Sequence, residues 1–192
     1  MLRQDSKNED TNDVINYLKG DENSLKILIE RYFKQIYNFV HKLCGNNSES
    51  EDITQEVFLK IWKNLKQYDP NQSFKAWIFK IARNTTIDWL RKKKEFVFSD
   101  FENEEGDNYI IDTITDNEAL PEEKMMRLEE KKSIDILLDK LPHIYKEVLV
   151  LRYTESLTFE EIGVVLDKPL ETVKSQHRRA IMKLKKIIET ED

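Results

Sequence analysis

The stretch from Asp52 to Lys94 constrains this chain more than any other. It reads DITQEVFLKIWKNLKQYDPNQSFKAWIFKIARNTTIDWLRKKK, and its apolar residues recur as two helices broken at Asp69-Pro70-Asn71-Gln72. On the first helix Ile53, Val57, Phe58, Ile61, Trp62 and Leu65 make one apolar stripe. Asp52, Gln55, Glu56, Leu59 and Lys63 fall on the opposite face, which a core does not explain. On the second helix Phe74, Trp77, Ile78, Ile81 and Thr85 form the inward stripe. Lys80, Arg83, Asn84, Ile87 and Arg91 line its outward side, and the helix is expected to end in Arg91-Lys92-Lys93-Lys94. A mainly acidic and amide surface therefore lies beside a basic one with aromatics near it. Single-stranded nucleic acid needs the second kind: cations for phosphates, π-faces for unstacked bases and an amide for base edges.

A net charge of −6 would argue against a nucleic-acid partner if it were spread evenly. It is not: residues 75–94 and 168–186 are basic, whereas residues 95–123 carry Asp and Glu with no Lys or Arg. With 192 residues, 35% of them charged, and only four Gly and four Pro, the chain reads as all-α, with one or two domains. Cys44 stands alone, so an intrachain disulfide or a cysteine zinc site is excluded, and a reduced, buried thiol is expected. The first residues, MLRQDSKNEDTND, lack a signal-peptide apolar core, and no stretch is long enough to span a bilayer. The expectation is a cytoplasmic protein without direct membrane insertion.

Taken in order, residues 1–11 are polar and read as disordered, followed by a short helix from Asp13 to Lys19 closed by Gly20. A long helix runs from about Glu22, with Leu25, Leu28, Ile29, Tyr32, Ile36, Phe39, Val40 and Leu43 inward, and Gly45 suits the left-handed position past its end. Ser48 and Glu51 have the spacing of a capping box that would start the next helix. Residues 12–94 thus make one helical domain. Residues 95–120 lose the helical period and read as an acidic linker, with Phe96, Phe98, Phe101, Tyr109 and Ile110 as local anchors. Composition alone favours a solvated tether; an acidic strand lying in a partner's basic groove is the alternative. Helical pattern returns near Pro121 through Met125, Leu128, Ile134, Leu137, Leu138 and Leu141, stops at Pro142, and resumes from His143 to Tyr153.

Residues 158–184 have helix-turn-helix proportions. Thr158 and Glu161 form a capping box, Asp167-Lys168-Pro169 a tight turn, and the last helix runs from about Leu170 to Glu189. Ile162, Val165 and Leu166 are expected to pack on Leu170, Val173, Ala180, Ile181 and Leu184. Glu171, Thr172, Lys174, Ser175, Arg178 and Arg179 then point outward, where short hydroxyls and long cations reach a major groove. A three-helix bundle with a solvated basic face is the plainer reading. The coincidence of turn, capping box and basic second helix favours DNA. His177 falls on the inward stripe and is expected to be structural. Residues 121–189 make the second small helical domain.

Together the two halves resemble the bacterial RNA polymerase sigma factors of the extracytoplasmic-function (ECF) type, within the sigma-70 family. The resemblance is carried by Asp52-Ile53-Thr54-Gln55-Glu56-Val57-Phe58 and by Phe74 to Asn84. In the second half it is carried by Leu141-Pro142 with Tyr145 to Leu149, and by Thr172-Val173-Lys174-Ser175 with Arg178-Arg179-Ala180. It implies a core-polymerase docking face at Asp52, Gln55, Glu56, Leu59 and Lys63, directed at the β′ clamp coiled coil. It implies −10 recognition and duplex opening by Tyr68, Phe74, Lys75, Trp77, Lys80, Arg83, Asn84 and Arg91, with a flipped base held by the loop beginning at Tyr68. It implies −35 reading by Glu171, Thr172, Lys174, Ser175, Arg178 and Arg179, and contact with the β flap near Leu141 to Tyr153. An anti-sigma factor is the further partner that such a resemblance implies. His177, Gln176 and Glu171 depart from the family's pattern and bear on which −35 sequence is read.

The competing readings are a stand-alone helix-turn-helix transcriptional regulator and an adaptor that binds only protein. An enzyme is disfavoured: the sequence has no Gly-rich phosphate loop, no nucleophile-base pair and no ligand cluster among its three histidines and one cysteine. No cofactor and no metal are expected.

Overall fold

The computed structural model describes residues 2–100 and 134–190. All regular structure in these residues is helical, in accord with the all-α expectation. The chain divides into two compact units, one centred on the first four helices and the other on the C-terminal helices. The proposed linker core at 101–120, its anchors at Phe101, Tyr109 and Ile110, and the helix expected from Pro121 through Met125 and Leu128 lie outside the described residues, as do the side chains of Phe96 and Phe98.

In the first unit, α1 spans Leu2–Leu18, α2 Glu22–Cys44, α3 Asn47–Asn64 and α4 Phe74–Asp100. The helix α1 corrects the expectation of disorder before residue 12. Its hold is polar and tertiary: Asp10, 3% exposed, accepts hydrogen bonds from Arg31 and from the Tyr32 hydroxyl on α2. Arg31 also pairs with Asp13 at 3.0 Å, and Val14 is buried alongside. A buried carboxylate is tolerable only with such partners.

The caps explain where α2 and α3 start and stop. Asp21 accepts the Asn23 N–H, and Gly45 closes α2 at φ 73°, the conformation in which a side chain is strained. The cap of α3 is Asn46 rather than the expected Ser48, its Oδ1 accepting the Glu49 N–H at 3.1 Å. Both residue types cap well. The position is decided by Ser50, fully buried, which donates to the Asn46 carbonyl and lies 3.1 Å from the half-buried Cys44 Sγ.

At the centre, α2 packs on α3 and α4 through Ile36, Phe39, Val40, Ile53, Val57, Leu65, Ile78, Phe79 and Ala82. Phe39 and Phe79 meet edge to face at 5.1 Å. The inward stripe of α4 is thereby rotated from the expected one: Phe79, Ala82 and Thr86 are buried, while Trp77 and Ile81 are only partly so. Trp62 leaves the expected stripe of α3, being 51% exposed with its indole N–H donating to the Tyr17 hydroxyl at 2.7 Å. Helix α4 also runs past the basic run to Asp100, since neither Gly nor Pro interrupts it there.

In the second unit residues 134–139 are helical, α5 spans His143–Leu149, and a π-helical turn follows at Val150–Thr154. The sequence reading had one helix from His143 to Tyr153. The wider turn, closed by the Glu155 N–H on the Val150 carbonyl, accompanies a run from Glu147 to Leu151 that is buried without interruption. Helix α6 spans Phe159–Leu166 and α7 Leu170–Glu189, with α5 packed on α7. The capping box is formed in both directions: the Thr158 N–H donates to Glu161 Oε2 at 2.8 Å and the Glu161 N–H to Thr158 Oγ1 at 3.2 Å. Ile162, Val165, Leu166, Val173 and Ala180 are buried, but Ile181 is 40% exposed and not the core residue expected.

The turn between α6 and α7 is a Schellman closure, with Asp167 at φ 55° and the Lys168 N–H donating to the Gly163 carbonyl at 3.0 Å. A Cβ on Gly163 would lie 2.9 Å from the Lys168 carbonyl oxygen, which is backbone and cannot step aside. Gly163→Ala is therefore expected to destabilise the C-terminal unit by about 1–3 kcal/mol, a value that urea unfolding of the full chain will measure.

Candidate nucleic-acid and docking interfaces

Three surfaces carry the residues singled out from the sequence. On α3, Asp52, Gln55, Glu56, Leu59 and Lys63 are all exposed, at spacings that place them along one side of the helix. Leu59 is 54% exposed among these polar neighbours, on a helix whose other side includes the fully buried Ile53 and Val57. Glu56 is tied to Lys60 at 2.8 Å, and Lys60 in turn donates to Thr85 on α4 at 3.2 Å. An apolar surface not among the residues singled out above adjoins this face. Phe33 of α2, 50% exposed, stacks on Phe58 of α3 at 5.8 Å. Trp62 flanks a shallow groove with Tyr17, Leu25 and Ile29. Leu25, Ile29 and Phe33 recur every four residues, a signal that the sequence contains but that reads as core.

The second surface is the loop between α3 and α4 with the start of α4. A 3₁₀ turn at Leu65–Gln67 leads into Tyr68. Asp69 Oδ1 then accepts the Asn71 N–H at 2.9 Å, and the Gln72 N–H closes on the Asp69 carbonyl at 3.0 Å. Ser73 Oγ accepts the Ala76 N–H at 3.3 Å and so starts α4. Beneath the loop Tyr68, Phe74 and Trp77 pack mutually at 5.2–5.7 Å, with Tyr32 5.8 Å from Phe74. Tyr68 and Phe74 are buried, Trp77 is partly so, and Lys75 lies over the Phe79 ring at 5.7 Å. Burial raises the pKa of the Tyr68 hydroxyl, which stays protonated and able to donate. Of the other named residues Asn84 and Arg91 are exposed, and Lys80 and Arg83 partly so. The aromatics are thus the floor of this surface and the polar residues its face.

The third surface is α7. Glu171, Thr172, Lys174, Arg178 and Arg179 are exposed and Ser175 is partly so, with Val173 and Ala180 buried on the other side. Glu171 accepts from Lys174 at 2.8 Å, and that hydrogen bond raises the lysine pKa. His177 is structural, as expected from its position: its Nε2 lies 3.0 Å from the Tyr153 hydroxyl, and its ring meets Phe159 edge-on at 5.1 Å. Arg152 stacks over Phe159 at 4.7 Å and donates to the Leu157 carbonyl at 2.8 Å. Among the described residues no group of His, Cys, Asp and Glu is placed to hold a metal ion.

A helical unit with two exposed polar faces, followed by a helix-turn-helix, is the arrangement of the sigma-70 class, and comparison with known proteins assigns the chain to it. Residues 28–96 match the family model for Sigma-70 region 2, and residues 137–186 that for Sigma-70, region 4. The ECF RNA polymerase sigma factor SigW of Bacillus subtilis is 36% identical over 170 residues, 88% of this chain and 90% of that protein. The chain therefore belongs to the ECF RNA polymerase sigma factors: it binds core RNA polymerase, directs it to promoter DNA and promotes melting. A region 2 in its first half sets it apart from a stand-alone helix-turn-helix regulator. The fold is shared with CnrH, solved in complex with the cytosolic domain of CnrY (TM-score 0.69, 21% identity, 96% of this chain and 99% of that one). It is also shared with the sigma factor RpoE of Bartonella quintana, solved with the anti-sigma factor NepR (TM-score 0.67, 18% identity, 87% of this chain and 98% of that one).

The His177 environment makes a measurable demand on pH. Burial first, and the Arg152 charge second, lower its pKa below the ordinary 6.5. On acidification the unfolded chain takes up the proton before the folded one, so stability is full above 6.5 and falls as pH drops toward the lowered folded value. Thermal unfolding of the C-terminal unit between about pH 7 and pH 5 is expected to show this decline, and His177→Phe to flatten it.

Proposed function

We propose a division of labour among the three surfaces. The N-terminal domain, residues 12–94 with α1 packed upon it, docks on core polymerase and engages the −10 element. The C-terminal domain, residues 121–189, reads the −35 element, and the acidic segment between them is the linker. The protein works in the cytoplasm with its polymerase; among the described residues no helix is long and apolar enough to cross a membrane. It catalyses no reaction of its own and acts through binding free energy.

The observation that carries the docking assignment is Leu59. An exposed leucine ringed by Asp52, Gln55, Glu56 and Lys63, on a helix already packed on its other side, supplies a desolvating anchor with a polar rim. The β′ clamp coiled coil is the partner we assign to it, with Phe33 and Trp62 extending the apolar area. Leu59→Asp is expected to weaken binding to core polymerase at least tenfold, because a carboxylate would be desolvated at the centre of the contact. Duplex binding through α7 should be unaffected. Fluorescence anisotropy with labelled full-length protein measures both, and unchanged core affinity would remove the assignment.

On the −10 side, Lys80, Arg83 and Arg91 meet phosphates, Asn84 meets a base edge, and Trp77 with the Tyr68 and Phe74 floor supports the loop that holds the flipped base. On the −35 side the N-terminal half of α7 enters the major groove, with Thr172, Ser175 and Arg178 toward base edges and Lys174 and Arg179 toward phosphates. Glu171 restrains Lys174 and narrows what that lysine can reach. Arg178→Ala is expected to cost about 1–3 kcal/mol of −35 affinity and relax selectivity at the bases it meets. Arg179→Ala should weaken binding uniformly across sequences and flatten its salt dependence. Titrations against a library of −35 duplexes at two salt concentrations separate these outcomes.

The Ile144 and Tyr153 side chains, exposed beside the buried run of α5 and its π turn, form the surface that we assign to the β flap. An anti-sigma factor is the regulatory partner we assign. The exposed apolar side chains on α2, α3 and α7, namely Phe33, Trp62, Ile181 and Met182, offer it seats in both units.

A further inference from the structure

The sigma-70 region 2 match begins at residue 28, so α1 lies ahead of it. Yet α1 reaches the −10 loop. Thr11 Oγ1 lies 3.4 Å from the Tyr68 hydroxyl oxygen. That hydroxyl has one proton, and it is given to the Gln72 carbonyl at 2.8 Å. The donor in the remaining contact is therefore Thr11, and the two bonds form a relay from α1 to Tyr68 to the loop backbone.

The rest of the loop is already tied. Asp69 fixes Asn71 and Gln72 through its side chain and carbonyl, and Ser73 is fixed by its capping bonds to α4. The peptide between Gln72 and Ser73 sits between these anchors, and the Tyr68 hydroxyl holds its carbonyl. Thr11 is itself held in place by its neighbour Asp10, which is buried and bonded to both Arg31 and Tyr32. The Tyr68 ring cannot swing away either, being wedged against Phe74 and Trp77.

We propose that Thr11, acting through the Tyr68 hydroxyl, is a positioning residue that sets the backbone geometry of the −10 loop and hence its choice among bases. This rests on the reading that the loop beginning at Tyr68 holds the flipped base. Thr11 touches no DNA in this scheme. It determines how sharply the loop discriminates, not whether the protein docks or binds the −35 element.

The test uses full-length protein with core polymerase on promoters carrying each of the four bases at the flipped position, with opening followed by a fluorescent base analogue. Thr11→Val keeps the shape and removes the hydroxyl; Thr11→Ser restores it. Thr11→Val is expected to reduce the ratio of opening rates between the preferred base and the others by about three- to tenfold. Thr11→Ser should retain the ratio, and Thr11→Val combined with Tyr68→Phe should be no worse than Tyr68→Phe alone. Core affinity and −35 affinity should not move with Thr11→Val. An unchanged ratio in Thr11→Val, an equal loss for all four bases, or additive effects in the double variant would each overturn the proposal. Lys80→Ala with Asn84→Ala separates the two levels. If that variant loses opening while Thr11→Val has no effect, only the Thr11 role fails; if it opens promoters normally, the −10 reading fails and the Thr11 role with it.

Discussion

Phe39 and Phe79 cross edge to face in the interior of the first unit, with Ile53 and Val57 of α3 buried in the same core. A helix rotated by one residue turns its side chains by about 100°. Placing Phe79 inward therefore sets where Lys80, Arg83 and Asn84 point, and burying Ile53 and Val57 sets where Gln55, Glu56 and Leu59 point. The functional faces are what remains once the core is satisfied. This is why the two faces depend on close packing: the direction of their side chains lies in the angular setting of two helices.

The same logic decides what could be read from the chain alone. The Leu59 face was legible because an apolar residue among polar ones at helical spacing has no local explanation. The helix-turn-helix was legible because its signals are local: a capping box across three residues, a turn before Pro169, and cations on one side of the next helix. Helix α1 was not. Its composition is polar, and its anchors Arg31 and Tyr32 come about twenty residues later, beyond the reach of any periodicity argument. The cap of α3 was displaced from Ser48 to Asn46 for a similar reason, since the burial of Ser50 against Cys44 chose between two good capping residues. Trp62 was read as core because hydrophobicity identifies a stripe but not its edge. At that edge a tryptophan can keep its ring half-exposed and spend its N–H on Tyr17.

Charge is organised on the same local scale. The chain is acidic overall, but α7 sets Lys174, Arg178 and Arg179 on its exposed side and favours the neutral form of the imidazole behind them, His177. Arg152 contributes to that neutrality while stacked on Phe159, so this cation behind α7 is engaged in packing. A protonated His177 would place a second cation beside Arg152 in a partly desolvated space, which disfavours the charged form.

The loop from Tyr68 to Ser73 shows how a short irregular segment can match the precision of a helix. Loops ordinarily keep conformational freedom that is lost on binding, and each immobilised residue lowers affinity accordingly. Between Tyr68 and Ser73 that freedom is removed during folding. An Asx turn fixes the entry, a helix cap fixes the exit, and a buried tyrosine holds the carbonyl between them. The tyrosine is effective because its ring is confined by two other aromatics and its hydroxyl is kept protonated by burial. On the −10 reading proposed above, a flipped base entering such a loop meets donors and acceptors already in position, so more of the contact energy remains to offset unstacking. Discrimination between bases then depends on how little the loop can yield to the wrong one.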